Sequence, residues 1–247
     1  MKNIVIFGAT SAVAIEVSRQ LAGCSVSFVL IGRDADYLNS ILLDLEARGA
    51  SGKVLIADLS ESNDHSRLLS ESLNYFDESK VDLFLIAYGF LNPVLDESSD
   101  KADLERCIVT NGSSAVLLSH EIGKVLKSQG AGSLAVITSV AGDRGRASNY
   151  AYGSAKGFVS KFLEGMAQKF ANKDDIVITD IKMGIVESPM TEHLTRTSMW
   201  VTPDVAARGV IKAVKLRKSV EYVPFRWRYI MQVIKFIPVR IYNKLRL

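Results

Sequence analysis

Along the chain, short runs of consecutive apolar residues alternate with longer stretches in which apolar positions recur every three or four residues. The first pattern suits strands buried on both faces, and the second suits helices with one buried stripe. The runs NIVIF (3–7), SVSFVLI (25–31), KVLIAD (53–58), VDLFLIA (81–87), GSLAVITS (132–139), IVITDIKM (176–183) and VEYV (220–223) predict strands. Helical spacing predicts helices over 11–22, 34–49, 61–77, 100–128, 149–171 and about 203–217. Strands that are each followed by a helix pair in parallel, because right-handed crossovers lay the helices on both faces. The expected fold class is therefore α/β, a doubly wound parallel sheet of about seven strands. Ligands of such sheets bind beyond the carboxyl ends of the strands, which is where chemistry is to be sought.

The pattern changes after residue 224. In FRWRYIMQVIKFIPVRIYNKLRL (225–247), Ile230, Ile234 and Ile237 can share one helical face, and Ile241 and Leu245 share another after Pro238. Arg228, Lys235, Arg240, Lys244 and Arg246 surround these apolar positions, with Trp227 and Tyr229 among them. The composition suits a helix lying on an anionic membrane surface. It equally suits an apolar face laid on the core or on a partner subunit, with the basic residues solvated. Residues 1–224 are thus expected to form one domain and 225–247 a basic helical extension.

Charge sharpens this division. The net charge of the 247 residues is only +3. Residues 208–247 hold eleven basic side chains against one acid, Glu221, a charge of +10 that leaves −7 on residues 1–207. Such segregation points to an anionic partner at one end of the molecule. No apolar run approaches the ~20 residues that cross a bilayer, and no nucleic-acid recognition motif accompanies the basic segment. Cys24 and Cys107 are far apart, and His65, His120 and His193 are scattered. The expectation is reduced thiols, a cytoplasmic location and no metal.

The stretch FGATSAVA (7–14) has two readings: the end of a secretory signal, or a strand turning into a helix through a phosphate-holding loop. Thr10 and Ser11 interrupt the apolar run, and the helix continues past Ala14 with Glu16 and Arg19 in phase. Cleavage there would remove the first strand of the pattern, so the loop reading is preferred. Gly8 allows a tight exit from the strand. Thr10 or Ser11 can cap the helix, whose first N–H groups and dipole favour a pyrophosphate.

In NYAYGSAK, Tyr152 and Lys156 stand four apart on a predicted helix and so emerge on one face. An ammonium about 4 Å from a phenol is worth ~4 kcal/mol at an effective dielectric near 20. Before desolvation opposes it, that lowers the phenol's pKa by about three units, enough for acid/base work. Ser139 ends a predicted strand thirteen residues earlier, and Asn111 falls mid-way in the long helix 100–128.

Together these segments resemble the short-chain dehydrogenase/reductase family over about residues 1–224. Gly8, Ala12 and Ala14 stand at its GxxxGxG spacing, ITSVAG resembles its catalytic-serine segment, and GIVESPM resembles its PGxxxT segment. The chain departs from the family in IAYG (86–89) for NNAG, Met183-Gly184 for Pro-Gly and Ser188 for Thr. The resemblance implies a Rossmann-type fold, hydride transfer, and Ser139, Tyr152, Lys156 and Asn111 as catalytic residues. It implies cofactor contacts from Gly8, Thr10, Ser11, Ala12, Val13, Asp58, Leu59, Ala87, Tyr88, Gly89, Gly184, Val186 and Ser188, besides Tyr152 and Lys156. Gly32 and Arg33 follow the second strand, and the Arg33 guanidinium suits a 2′-phosphate and favours NADP(H). NAD(H) stays open because Asp34 is adjacent and Ser11 stands where a second basic residue often helps. Asp58 resembles the family's adenine-contacting acid, and a plain helix cap is an equal alternative.

The basic tail, with SVAGDRGRASNYAYGSAKG, also resembles the subgroup holding the keto-sugar reductase partner of decaprenylphosphoryl-ribose epimerisation. That implies a lipid-linked substrate and a location at the inner face of a membrane. Arg144, Arg146 and His193 are candidate substrate residues, with an exposed basic loop as the alternative for the two arginines. A homo-oligomer through helices 100–128 and 149–171 follows from the family likeness. The rival readings are a soluble carbonyl or ketoacyl reductase and a non-catalytic dinucleotide sensor.

Overall fold

The computed structural model describes residues 1–77, 79–91, 100–172, 175–191 and 196–245. Its strands are β1 (Asn3–Phe7), β2 (Ser27–Gly32), β3 (Ser51–Ile56), β4 (Leu83–Ile86), β5 (Gly132–Ser139), β6 (Ile176–Met183) and β7 (Val220–Val223). They form one seven-stranded sheet in the order β3-β2-β1-β4-β5-β6-β7, and every pairing is parallel. The helices are α1 (Ala12–Leu21), α2 (Ala35–Ala47), α3 (His65–Tyr75), α4 (Lys101–Ile108), α5 (Ser114–Gln129), α6 (Tyr150–Phe170), α7 (Pro203–Lys215), α8 (Arg226–Phe236) and α9 (Val239–Tyr242).

Alternation along β1 explains why its run is apolar throughout. Ile4 and Ile6 join the layer filled by Val17 of α1, Leu38 and Leu45 of α2, and Val210 of α7. Val5 and Phe7 join the opposite layer, with Leu68 of α3, Leu118 and Ile122 of α5, and Leu163 of α6. A strand covered on both sides needs apolar residues at every position. The chain winds outward from β1 to β3, then returns to place β4 on the other side of β1. That reversal opens a crevice above the carboxyl ends of β1 and β4, where such sheets hold ligands.

One expectation needs correction. The helix read over 100–128 is interrupted: a π-helical turn at Val109–Ser113 separates α4 from α5. Hydrophobic spacing does not register the one extra residue that such a turn inserts. In the tail, where both settings were open, the Ile230 and Ile234 face lies on the core. Ile230 and Ile234 pack with buried Trp227 and Met231 against Val140, which directly follows β5. The outward positions of α8 are Tyr229, Val233 and Phe236.

Candidate active site

Ser139 ends β5 in extended backbone, and its Oγ accepts the Ala141 N–H at 3.1 Å to open a 3-10 turn. Eleven residues later α6 begins at Tyr150, so Tyr152 and Lys156 lie one turn apart over the end of β5. Lys156 is 4% exposed and donates from Nζ to the Ile137 carbonyl at 3.2 Å. Its Nζ is 5.8 Å from the Tyr152 ring centre, and the Ser139 side chain is near enough to the Tyr152 hydroxyl to draw its pKa down.

The π turn carries Asn111 into the same place, fully buried. Its Oδ1 accepts the Phe90 N–H at 2.9 Å. Its Nδ2 donates to the Phe90 carbonyl at 2.5 Å and to the Cys107 carbonyl at 3.0 Å. Gly89 fits between Asn111 and Lys156: a Cβ there would stand 2.9 Å from Asn111 Oδ1 and 3.5 Å from Lys156 Nζ. Ser139, Tyr152, Lys156, Asn111 and Gly89 therefore meet at the carboxyl ends of β4 and β5.

The electrostatics differ from the expectation that Lys156 makes the Tyr152 phenol acidic. Burial pushes the Tyr152 pKa up to about 12, and the neighbouring Ser139 side chain recovers only part of the shift. Burial likewise draws Lys156 down to about 8, with Asp180 opposing. The desolvation left out of the pairwise argument outweighs attraction across this separation. Sequence reading also missed Asp180, a buried carboxylate on β6 that accepts from the Thr138 hydroxyl and lies 3.6 Å from Lys182 Nζ. The signal was present: Asp180 and Lys182 are charged residues in a strand otherwise built to be buried.

At the crevice, Gly8 is required twice. Its φ is +82°, and a Cβ would stand 2.7 Å from both the backbone N and the Cβ of Tyr88. The Gly8 and Ala9 N–H groups both donate to the Ile31 carbonyl, at 2.8 and 3.0 Å. Ser11 precedes α1 but its hydroxyl does not cap the helix, contrary to expectation. The helix start, at Ala12 and Val13, carries neither a side-chain cap nor an acid in its first turn. A helix terminus of that kind accommodates an anion. Thr10, Arg33, Asp34 and Tyr37 line an open cleft of about 550 Å³ beside it.

Asp34 is committed elsewhere, accepting the Tyr37 N–H at 3.0 Å as the cap of α2. Arg33 is exposed, 3.9 Å from Asp58. Asp58 is not a helix cap. It accepts the Ser60 N–H at 2.9 Å and the Ser60 hydroxyl at 2.8 Å, which with the nearby arginines holds its pKa below the ordinary carboxylate value. The Leu59 carbonyl accepts from Ser114, whose Oγ lies 2.8 Å from the Tyr88 hydroxyl. The Ala87 N–H donates to the Phe7 carbonyl at 2.8 Å, closing the crevice floor. The tight glycine, the uncapped helix start and the adjacent cleft with its arginine fit a dinucleotide.

The far wall is made by the segment after β6. The Gly184 N–H donates to the Val223 carbonyl at 2.7 Å, and the indole of Trp227 sits where a Gly184 Cβ would be. Val186 bridges to Val201, and Thr191 donates to the Val186 carbonyl at 2.6 Å. Ser188 Oγ lies 3.2 Å from Thr191 Oγ1. Arg144 is neither an open phosphate ligand nor a solvated loop residue. It donates to the Ile234 and Lys235 carbonyls at the end of α8 and stacks 3.8 Å from the Tyr242 ring centre. Arg146 approaches Met231 through Nη2, while its buried Nε has no partner among the described residues. His193 lies outside the described residues. No group of three or more His, Cys, Asp or Glu among the described residues is placed to hold a metal.

The family model described as short chain dehydrogenase matches residues 2–198. The chain belongs to that family. An uncharacterized oxidoreductase of Mycobacterium tuberculosis is 28% identical to this short-chain dehydrogenase over 243 residues, covering 98% of this chain and 96% of the relative. One of Streptomyces coelicolor is 25% identical over 99% and 96% of the two chains. A tropinone reductase homolog of Arabidopsis thaliana is 25% identical over 81% and 75%. A solved short-chain type dehydrogenase/reductase from Mycobacterium ulcerans superposes with a TM-score of 0.77, covering 90% of this chain and 87% of that one. At 16% identity that likeness speaks for the fold alone. This short-chain dehydrogenase is thus an oxidoreductase of a family that uses NAD(P)(H).

Proposed function

We propose that this short-chain dehydrogenase reduces a carbonyl to an alcohol with NADP(H), on a keto-sugar carried by a polyprenyl phosphate. The convergence of Tyr152, Ser139 and Lys156 at the end of β5 carries the reading. NADP(H), when bound, supplies the hydride. Gly8, Thr10, Ser11, Ala12 and Val13 would hold its pyrophosphate at the start of α1, and Arg33 its 2′-phosphate. Asp58 and Leu59 would border the adenine. Ala87, Tyr88 and Gly89 would border the adjoining ribose, with Gly184, Val186 and Ser188 on the nicotinamide side. The exposed guanidinium of Arg33, with Asp34 turned into the cap of α2, favours NADP(H) over NAD(H).

The Ser139 hydroxyl donates to the substrate oxygen and fixes it beside Tyr152. As that oxygen gains negative charge, the Tyr152 phenol hands over its proton. With its pKa pushed up to about 12, Tyr152 carries that proton throughout the neutral range. The Lys156 ammonium stabilises the phenolate left behind and would hold a cofactor ribose hydroxyl. The Asn111 amide N–H groups are committed to Phe90 and Cys107, so one lone pair of Oδ1 is left to hold a relay water beside Lys156.

Support for a bulky, partly apolar substrate comes from the cluster of Val140, Trp227 and Met231, with Ile185 and Met199, next to Ser139. Arg146, with its unpartnered Nε, would take the substrate phosphate in place of Arg144. Residues 225–247 would bring the enzyme to an anionic membrane surface from the cytoplasmic side. Exposed Ile108, Leu117 and Phe158 on α4, α5 and α6 favour a homo-oligomer through those helices. The test is NADPH oxidation against short polyprenyl-phosphate keto-sugars, ketoacyl thioesters and simple ketones. The keto-sugar should turn over fastest, and Tyr152→Phe should abolish turnover while NADPH still quenches protein fluorescence. Unchanged turnover in that variant refutes the assignment.

A further inference from the structure

The inner side of the tail is fastened down. Trp227 and Met231 are buried against Val140, Arg144 holds the last carbonyls of α8, and the Tyr242 hydroxyl donates to the Gly145 carbonyl at 2.8 Å. With that side committed, the opposite side of α8 cannot also fold back on the core. It presents Phe225, Tyr229, Val233 and Phe236, spaced four, four and three apart on one helical face. Val233 is 67% exposed and Phe236 80%. Val239, Ile241 and Leu245 extend the apolar surface beyond Pro238, all exposed.

Charge identifies what covers this surface. After Glu221 the sequence has no acid and six basic residues. Arg226, Arg228, Lys235, Arg240 and Lys244 are exposed around the apolar strip. An apolar strip on a segment whose own charged residues are all cations, with Lys235 also 3.9 Å from Asp143, complements an anionic lipid surface, with aromatic and aliphatic side chains in the acyl boundary and cations among the headgroups. α8 has eleven residues, and no helix among the described residues is long and apolar enough to cross a membrane. The geometry therefore points to docking on the bilayer, not spanning it. We infer that the outward face of α8, continued by Val239, Ile241 and Leu245, is a monotopic docking surface for anionic membranes.

The inference deepens the lipid-linked substrate reading and rests on it for its purpose, because the inner face of the same helix borders Val140 and Gly184. Docking and turnover are measured separately, so each can fail alone. The full chain is sedimented with vesicles of phosphatidylcholine and with vesicles of phosphatidylcholine plus phosphatidylglycerol. Strong binding to the anionic vesicles alone is expected, weakened by raised salt. The double variant Val233→Asp, Phe236→Asp should lower partitioning at least about tenfold. Arg240→Gln with Lys244→Gln should lower it by about the same factor. Both variants keep the wild-type rate on a water-soluble ketone, which distinguishes lost docking from a failed reductase reading. Equal binding to neutral vesicles, no binding, or undiminished binding by the Asp variant overturns the inference. A concentration-dependent dimer that Val233→Asp dissociates also overturns it, by naming a second copy of the chain as the occupant.

Discussion

Lys156 and Tyr152 are both shifted by burial, in opposite senses, and so titrate in different parts of the pH scale. The Lys156 ammonium is present below about pH 8 and lost above it. The Tyr152 proton is retained until about 12. If reduction needs both protons, kcat/KM in the reducing direction should be flat near neutrality and fall tenfold per unit above about pH 8, reporting Lys156 in the free enzyme. Lys156→Arg keeps the cation across this range. Its rate should be lower near neutrality, but the fall above pH 8 should disappear. A fall that persists unchanged assigns the titration to another group. The identities and shared helical face of this pair were legible in the sequence, because four-residue spacing on a helix fixes both. The sign of the phenol's shift was not, since it depends on how much protein surrounds the hydroxyl. Gly184 was legible only in part: its place after β6 was readable, but not that Trp227 of the tail sits against it.

At the scale of elements, strand and helix order followed from runs and spacing because the inner strands β1, β2, β4 and β6 are buried on both faces. What sequence could not locate was the π turn between α4 and α5. That turn rotates Asn111 inward to clamp the backbone of Phe90, just after β4. The clamp serves where the family's asparagine pair is replaced by Ile86 and Ala87 in IAYG, and where Tyr88, at the place of the family's alanine, braces Ser114. Asn111→Ala would leave a buried N–H and two carbonyls short of partners. It should lower unfolding free energy by roughly 2–4 kcal/mol, read as a drop in the urea midpoint at unchanged m-value. The Phe90 amide should also lose hydrogen-exchange protection. An unaltered midpoint with only a slower turnover would make Asn111 catalytic alone and not structural.

Across the whole molecule, the tail closes on the same end of the sheet that bears the site. Asp143, four residues after Ser139, is contacted by Lys182 of β6, accepts from the Tyr222 hydroxyl of β7 at 2.6 Å, and lies 3.9 Å from Lys235 of α8. Its neighbour Arg144 holds the α8 carbonyls and the Tyr242 ring. The loop between Ser139 and Tyr152 is thereby tied to both sheet and tail, and the position of α8 over Val140 depends on a residue that never meets the reacting atoms. Arg144→Ala removes the helix-end donors and the stacking plane while sparing Ser139, Tyr152 and Lys156. Amide exchange along α8 should quicken at least about tenfold, because a helix held by fewer tertiary interactions opens locally at a lower free energy. KM for the bulky substrate should rise with kcat nearly constant, the signature of weakened ground-state binding. Arg144→Lys keeps the charge but not the planar fork or the stacking surface, so it should restore protection only in part. If α8 keeps its full protection in Arg144→Ala, Trp227 and Met231 alone hold the tail, and the loop is free to move without it.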